Sequence, residues 1–199
     1  MAGKHFSMIR DFHLADFFTI ANGFCGVAAV LQAMRYLATG ERGRLDIAAA
    51  LVGLALILDV LDGRIARWRH VASPMGRELD SLADVISFGV APAGIAFAAG
   101  LQSALDQAIL MYFVGCGLSR LARYNVTAET LSAGSGKVRF FEGTPIPTSI
   151  VPLVLLLLAF HRQTLYPVTI AGLELHLVSL LFLLSGSLMI SKTLKIPKP

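Results

Sequence analysis

The sequence has little charge and little cysteine. Only 15 % of its 199 residues are charged and 55 % are hydrophobic, whereas a typical soluble domain carries about 25 % charged residues. This composition excludes an intrinsically disordered chain, which combines low hydrophobicity with high charge. The two cysteines, Cys25 and Cys116, lie in apolar stretches and are too few for a disulfide scaffold. The net charge of +4 does not indicate nucleic-acid binding, because positive charge in a membrane protein usually marks cytoplasmic loops.

Apolar runs fill most of the chain. A bilayer is crossed by about 20 consecutive apolar residues, and the sequence predicts six such spans. They cover approximately residues 14–37, 45–61, 85–101, 104–121, 145–160 and 173–190. Six spans leave room only for loops and termini. We therefore expect residues 1–199 to form a single all-α membrane domain, a bundle of six transmembrane helices.

The basic residues predict the orientation of this bundle. Most of the 17 Lys and Arg residues lie in the N-terminal segment, after spans two and four, and at the C-terminus. The exceptions are Arg35, Arg42, Arg44 and Arg162. Because cytoplasmic loops carry the excess of positive charge, both termini should be cytoplasmic. Residues 4–15 mix charged side chains with apolar ones at every third position, which predicts a short interfacial helix.

Four aspartates stand out at the ends of two spans. Asp59 and Asp62 end span two, and Asp80 and Asp84 precede span three. Spacings of three and four residues place each pair on one helix face, and the connection between the spans lets the two faces meet. Converging carboxylates repel one another and are costly to remove from water. Two interpretations remain open: ion pairs with nearby arginines, or bound divalent cations such as Mg²⁺, Mn²⁺ or Ca²⁺.

Small residues and one arginine accompany the aspartates. Gly63 and Ala66 follow the first pair, and Gly76 precedes the second. Residues without bulk let a large polar ligand approach the helix backbone. Arg67 lies beside Ala66 and can hold a phosphate by a forked contact. Acidic ligands, small residues and an arginine together predict a site for a metal and a diphosphate.

These residues form the pattern D-x-x-D-G-x-x-A-R, then eight residues, then G-x-x-x-D-x-x-x-D. The pattern resembles the signature of the CDP-alcohol phosphatidyltransferases, and every specified position of that signature is present. Residues 78–93, 116–127 and 141–147 look like the phosphatidylserine synthase branch of this family. Both ends of the chain are similar to its fungal members.

The resemblance implies a phospholipid-synthesis enzyme that transfers a phosphatidyl group from CDP-diacylglycerol to the hydroxyl of L-serine and releases CMP. It implies two divalent ions, Mn²⁺ or Mg²⁺, held by Asp59, Asp62, Asp80 and Asp84, with Asp84 also acting as general base. It assigns the CDP head group to Asp59, Asp62, Gly63, Ala66, Arg67, Gly76 and Asp80. It further implies a homodimer whose active site faces the cytoplasm, in the endoplasmic reticulum membrane if fungal or the inner or cell membrane if bacterial.

The acceptor serine needs partners for its carboxylate and its ammonium group. The candidates lie at the end of span four: Arg120, Arg123, Tyr124 and Asn125. Arginines in this position also commonly reach the interface or bind lipid phosphates. Asn22, in span one, either packs helices together or contributes to a cytidine pocket. Asp16 is expected to be solvated or to cap a helix.

Two other functions compete with serine transfer. The first is the same chemistry with another acceptor, such as inositol phosphate, glycerol phosphate or choline, although a phosphorylated acceptor requires a denser basic pocket. The second is a divalent-cation transporter, whose acidic residues would lie in the middle of spans along a path. Here the acidic residues cluster at helix ends beside a basic loop, which favours the transferase.

Overall fold

The computed structural model describes residues 14–69, 74–133, 140–170, 172–191 and 195–197. These residues form a mostly helical bundle with two small antiparallel sheets. The α-helices are α1 Leu14–Thr39, α2 Gly43–Arg69, α3 Pro74–Asp84, α4 Ala91–Ala99, α5 Ala104–Ala133, α6 Ile150–His161 and α7 Ser179–Ile190. The strands are β1 Phe140–Glu142, β2 Pro167–Ile170, β3 Leu173–His176 and β4 Lys195–Pro197. The interfacial helix predicted for residues 4–15 lies almost entirely outside the described residues.

The first two helices form a hairpin. They are joined by a tight turn in which Gly40 adopts a φ of 70°, a conformation that glycine reaches without steric cost. Small side chains are buried on both helices, including Ala29 and Ala33 on α1 and Ala48 and Ala55 on α2. In a membrane, small residues let helix backbones approach and gain van der Waals contact. The long α1–α2 interface therefore follows from the alanine content of these spans.

The third span is longer than predicted. α3 continues into a π-helical turn, Val85–Val90, and α4 follows without a break. The prediction placed the start of this span at residue 85, but helical structure begins at Pro74 and includes Asp80 and Asp84. π-helical turns are rare and are frequent at functional sites. This one begins directly after Asp84.

Among the residues that the structure describes, two helical stretches are long and apolar enough to cross a membrane by length and composition. They are Asp16–Thr39 and Met75–Ala99, and two shorter apolar helices are Ile146–His161 and Ser179–Ile190. A mostly helical chain with helices long and apolar enough to span a membrane is therefore confirmed. The number of spans and the side of each terminus stay predictions.

The second half of the bundle is built on α5 and α7. The rings of Phe113 and Phe182 meet edge to face, with centroids 5.3 Å apart, and both residues are buried. Gly186 lets the two helix backbones approach, because a Cβ there would lie 3.2 Å from the Phe113 Cα. α5 runs to Ala133, well beyond the predicted end of span four at residue 121.

The predicted start of span six is wrong. Residues 173–176 form β3, which pairs with β2 in a hairpin, and α7 begins only at Ser179. Gly172, with a φ of 82°, lies in the turn between the two strands. The residues of β3, Leu173–His176, alternate apolar and polar side chains, which is the period of a strand, and the apolar run of the predicted span begins only after them. The hairpin covers the end of the bundle where α5 begins.

Candidate active site

Four aspartates meet where the end of α2 adjoins α3. One carboxylate oxygen from each of Asp59, Asp62 and Asp80 lies within 4.8 Å of the other two. Asp84 lies one turn beyond Asp80 and outside this trio. The structure thus brings together three of the four metal ligands that the sequence predicts. We call these four residues the aspartate cluster.

The aspartate cluster is partly or fully buried and strongly negative. Asp62 and Asp84 are 5 % and 7 % exposed, and Asp59 repels each of the other three carboxylates. Among the side chains that the structure describes, no Lys, Arg or His forms an ion pair with any of the four. Buried charges without compensation are strongly unfavourable. Of the two interpretations left open by the sequence, bound cations fit these residues better than ion pairs.

The donor set matches a hard divalent cation. All the ligand atoms are carboxylate oxygens, which Mg²⁺ and Mn²⁺ prefer. Opposite ligands of Mg²⁺ lie about 4 Å apart, close to the 4.8 Å that encloses the trio. Asp80 Oδ1 is buried and has no hydrogen-bond partner within the described part of the chain. An oxygen in this state is available to coordinate an ion.

Two side chains of α1 hold carboxylates of the cluster. Thr19 Oγ1 donates a hydrogen bond to Asp62 Oδ2 at 2.8 Å. Asn22 Nδ2 donates one to Asp84 Oδ1 at 3.3 Å. Both α1 residues are buried, with Thr19 4 % and Asn22 0 % exposed. Sequence reasoning missed Thr19 altogether and treated Asn22 as packing or cytidine-binding, although a Thr and an Asn one turn apart inside an apolar span signal a buried polar contact.

The small residues of the motif border this cluster. A Cβ built on Gly63 would meet nothing within 4 Å, so space is open beside the α2 backbone next to Asp62. Gly76 lies in the first turn of α3. Ala66 and Arg67 lie in the last turns of α2, and the positions of their side chains are outside what the structure describes.

The serine-binding candidates on α5 fall into different environments. Asp84 and Arg120 lie close enough for their opposite charges to attract each other. The Nε of Arg120 is buried and has no hydrogen-bond partner among the described residues. Arg123 points to the end of α7, where its Nη1 donates to the carbonyl of Ile190 at 3.4 Å. Tyr124 is 39 % exposed. Arg120 is therefore the candidate that the structure places beside the aspartate cluster.

Asn125 connects α5 to α3. Its Nδ2 donates to Ser81 Oγ at 3.0 Å and to Glu78 Oε2 at 3.2 Å. Ser81 Oγ in turn lies 3.3 Å from Asn125 Oδ1. The amide of Asn125 is thus already engaged with the helix that carries Asp80 and Asp84.

The comparison with known proteins agrees with this site. Residues 12–185 match the CDP-alcohol phosphatidyltransferase family, a range that includes every residue of the aspartate cluster. The chain belongs to the CDP-alcohol phosphatidyltransferase family. The signature that places the four aspartates on α2 and α3 is therefore the family's own.

Three relatives carry the name CDP-diacylglycerol–serine O-phosphatidyltransferase. The protein of Saccharomyces cerevisiae is 44 % identical over 98 % of this chain and 74 % of its own length. The protein of Helicobacter pylori is 39 % identical over 74 % of this chain and 58 % of its own length. The protein of Bacillus subtilis is 31 % identical over 81 % of this chain and 84 % of its own length. No solved structure was found to match the chain.

The expectation that Asp16 is solvated is wrong, whereas its alternative, a capping role in the first turn of α1, is not contradicted. Asp16, expected to be solvated or capping, is 5 % exposed, and its charge acts on Asp62. The reason is the helical period: Asp16 lies one turn before Thr19 and shares the face of α1 that packs against the family signature. The family site therefore includes a buried face of α1 that lies outside the signature.

Proposed function

We propose that the chain transfers the phosphatidyl group of CDP-diacylglycerol to L-serine, giving phosphatidylserine and CMP. It is a phospholipid-synthesis transferase of the CDP-alcohol phosphatidyltransferase family. The observation that carries the proposal is the buried aspartate cluster, which has no ion-pair partner among the described side chains and has the donor geometry of a divalent-cation site. The serine acceptor is supported by the names of the relatives.

The aspartate cluster would hold two ions, Mn²⁺ or Mg²⁺, with Asp59, Asp62 and Asp80 as ligands and Asp84 completing the set. When bound, these ions supply positive charge that neutralises the diphosphate oxygens and polarises the leaving CMP. Asp84 takes the proton from the serine hydroxyl. A positioned base is needed because a serine hydroxyl is a poor nucleophile at neutral pH.

The bonds change at the β-phosphorus, the one that carries the diacylglycerol. The serine oxygen forms a bond to this phosphorus, and the bond from phosphorus to the bridging oxygen breaks. CMP leaves with that oxygen, and the proton of serine remains on Asp84. Gly63, Ala66, Arg67 and Gly76 frame the CDP head group, and the open space at Gly63 supports this assignment.

An apolar groove offers a place for an acyl chain of the substrate. The groove, of about 230 Å³, lies between α1 and α3. Its lining residues are Thr19, Ile20, Gly23, Phe24, Val27, Leu79, Leu82, Ala83 and Ile86. Thr19 belongs both to the groove and to the hydrogen bond with Asp62. A lipid whose diphosphate lies at the aspartate cluster can therefore place a chain in this groove.

Arg120 is our first candidate to bind the serine carboxylate. It is the arginine of α5 on which the charge of Asp84 acts, and a guanidinium binds carboxylate by a forked contact. Arg123 and Tyr124 remain secondary candidates. Asn125 is the weakest, because its amide already binds Glu78 and Ser81.

We place the chain in a membrane with six spans, both termini on the cytoplasmic side and the aspartate cluster facing the cytoplasm. The long apolar helices and the placement of Lys and Arg support this topology. The membrane is the endoplasmic reticulum if the source is fungal and the inner or cell membrane if it is bacterial. We further propose a homodimer, for which small residues such as Gly115 allow close helix contact.

A serine incorporation assay tests the proposal. Membranes carrying the chain receive radiolabelled L-serine, CDP-diacylglycerol and Mn²⁺, with EDTA in a parallel sample. We expect labelled phosphatidylserine and an equal amount of CMP, both lost in EDTA and restored by excess Mn²⁺. Inositol, inositol phosphate, glycerol phosphate and choline serve as competing acceptors. Transfer to one of these instead of serine from folded protein would refute the choice of acceptor, and transfer to none would refute the enzyme activity.

A further inference from the structure

One face of α1 touches both halves of the aspartate cluster. Thr19 donates to Asp62, which belongs to the pair on α2, and Asn22 donates to Asp84, which belongs to the pair on α3. The two α1 residues are three positions apart and therefore neighbours on one face. A single helix thus bridges two carboxylate pairs that lie on different helices.

This face of α1 is fixed against the helix that follows Asp84. Ser87 Oγ, in the π-helical turn, donates to the main-chain oxygen of Asn22 at 2.9 Å. One turn further along α1, a Cβ on Gly26 would lie 2.8 Å from the Cα of Ser87, so the two backbones are in direct contact. The contact fixes the register of α1 relative to α3, and it fixes the Asn22 main chain directly.

The two hydrogen bonds restrict their carboxylates in different ways. The Thr19 hydroxyl donates to Asp62 Oδ2, and the backbone of Gly63 also hydrogen-bonds this carboxylate, so Asp62 is held from both α1 and α2. The Asn22 amide occupies Asp84 Oδ1, which leaves Oδ2 for a proton or an ion. An amide donor is neutral and keeps its proton, so Asn22 orients Asp84 without competing for the proton that Asp84 receives. Partners of this kind orient the groups that bind metals, and changing them typically alters metal affinity or activity 10–100-fold.

We propose that Thr19 and Asn22 are positioning residues, and that α1 sets the geometry of the two carboxylate pairs relative to each other. Thr19 fixes Asp62 for metal binding, and Asn22, by holding Oδ1 of Asp84, orients the other oxygen of this carboxylate toward the serine proton. The inference rests on the proposed function for the role of Asp84, whereas the role of Thr19 concerns metal binding alone. The two residues should therefore give different defects.

The first test is Mn²⁺ binding to the purified full chain, measured by the electron paramagnetic resonance signal of free Mn²⁺. Thr19→Val keeps the shape of the side chain and removes the donor, so we expect the dissociation constant to rise about 10-fold or more. Thr19→Ser keeps the hydroxyl and should bind Mn²⁺ as the wild type does. Ser179→Ala, which removes one buried hydroxyl that donates to the carbonyl of His176, is the matched control and should also bind normally. Equal dissociation constants for Thr19→Val and the wild type would overturn the role of Thr19.

The second test separates turnover from binding at Asn22. Asn22→Leu removes the donor at similar volume, and at saturating Mn²⁺ we expect kcat for phosphatidyl transfer to serine to fall about 10–100-fold, while the KM for CDP-diacylglycerol stays near wild type. A defect of packing alone would instead lower the amount of folded protein and leave kcat per folded molecule unchanged. If Asn22→Leu does not fold, Asn22→Ala, which leaves room for water, decides the question by the same measurements.

The outcomes distinguish this inference from the proposed function. If the wild-type enzyme makes phosphatidylserine and the Asn22 variants have a normal kcat, the positioning role of Asn22 is rejected and the proposed function is kept. If the wild-type protein makes no phosphatidylserine, the proposed function is rejected. The Mn²⁺ affinities of Thr19→Val and Thr19→Ser still decide the role of Thr19 in that case.

Discussion

Two buried acidic sites lie along α5, one at its start and one beside its middle, and they are built in opposite ways. At one end Asp106 is 0 % exposed and is enclosed by hydrogen bonds. Ser103 Oγ donates to it at 2.8 Å, the backbone N–H of His176 at 3.1 Å, and His176 Nδ1 lies 2.6 Å away. Arg120, beside the aspartate cluster, is 14 residues further along α5, or about 21 Å. In the aspartate cluster the carboxylates repel one another and lack ion-pair partners among the described side chains.

The buried polar atoms without partners show the same division. Within the described residues they are Asn22 Oδ1, Asp80 Oδ1, Arg120 Nε, Arg123 Nη2, Thr144 Oγ1 and Ser149 Oγ. None belongs to the Asp106 site. An unsatisfied buried polar group costs free energy and needs an explanation. Asp80 Oδ1, Asn22 Oδ1 and Arg120 Nε belong to or adjoin the aspartate cluster, where ions and substrates are proposed to bind. Thr144 and Ser149 precede α6 and are not among the residues assigned to either site.

The largest effect should come from Asp84→Asn. Losing the general base should lower kcat about 10²–10⁴-fold, because asparagine cannot take the serine proton. In EDTA, however, the variant should unfold at the same temperature as the wild type or a higher one, because one of four repelling charges is removed. Serine incorporation and a thermal melt in detergent measure the two quantities. Lower thermal stability with normal turnover would reverse our view of this site.

Asp106→Asn should give the opposite result. Asparagine cannot accept from all the donors around Asp106, so a buried group loses its partner at a cost of about 1–3 kcal/mol. For a chain of this size that lowers Tm by about 2–12 °C. The kcat for serine transfer should stay near the wild-type value at a temperature where the variant is folded. Loss of activity without loss of Tm would show that the Asp106 site takes part in the reaction.

The sequence predicted the aspartate cluster because the spacings that create each pair of aspartates lie within short stretches of the chain. Spacings of three and four residues put Asp59 with Asp62 and Asp80 with Asp84, and short loops bring neighbouring helices together. The Asp106–His176 contact joins residues 70 positions apart, and no periodicity links them. The hairpin of β2 and β3 was missed because the alternation of apolar and polar residues in Leu173–His176 covers only four residues, the shortest length at which this pattern indicates a strand.

The α1 contacts were missed for a different reason. Asn22 was considered alone, as a polar residue that packs helices, and its partner depends on the rotation of α1 about its axis. One face of α1 carries Thr19, Asn22 and Gly26. The sequence shows that these residues share a face, but it does not show which helix that face contacts. The π-helical turn at Val85–Val90 has no comparable signal in the sequence, although its Ser87 contacts α1 at Asn22 and Gly26.

The smallest effect should come from the groove between α1 and α3, which contrasts with both polar sites because its lining is almost entirely apolar. A Cβ on Gly23 would lie 3.6 Å from Ala83 Cβ, an ordinary contact, so Gly23→Ala fits and serves as the control. Gly23→Leu fills the groove and excludes part of an acyl chain. Losing the burial of about two methylenes, at about 0.8 kcal/mol each, should raise the KM for long-chain CDP-diacylglycerol about tenfold.

Chain length decides whether this effect belongs to the groove. The lining residues on α1 run from Thr19 to Val27, about 12 Å along the helix. A short-chain CDP-diacylglycerol reaches only part of that distance, so Gly23→Leu should change its KM much less than that of the long-chain substrate. An equal rise for both substrates would mean that the leucine disturbs Thr19 and Asp62 rather than the lipid. Since Thr19 belongs to the groove and to the aspartate cluster, the Mn²⁺ affinity of Gly23→Leu separates these two explanations: a normal affinity assigns the defect to the acyl chain.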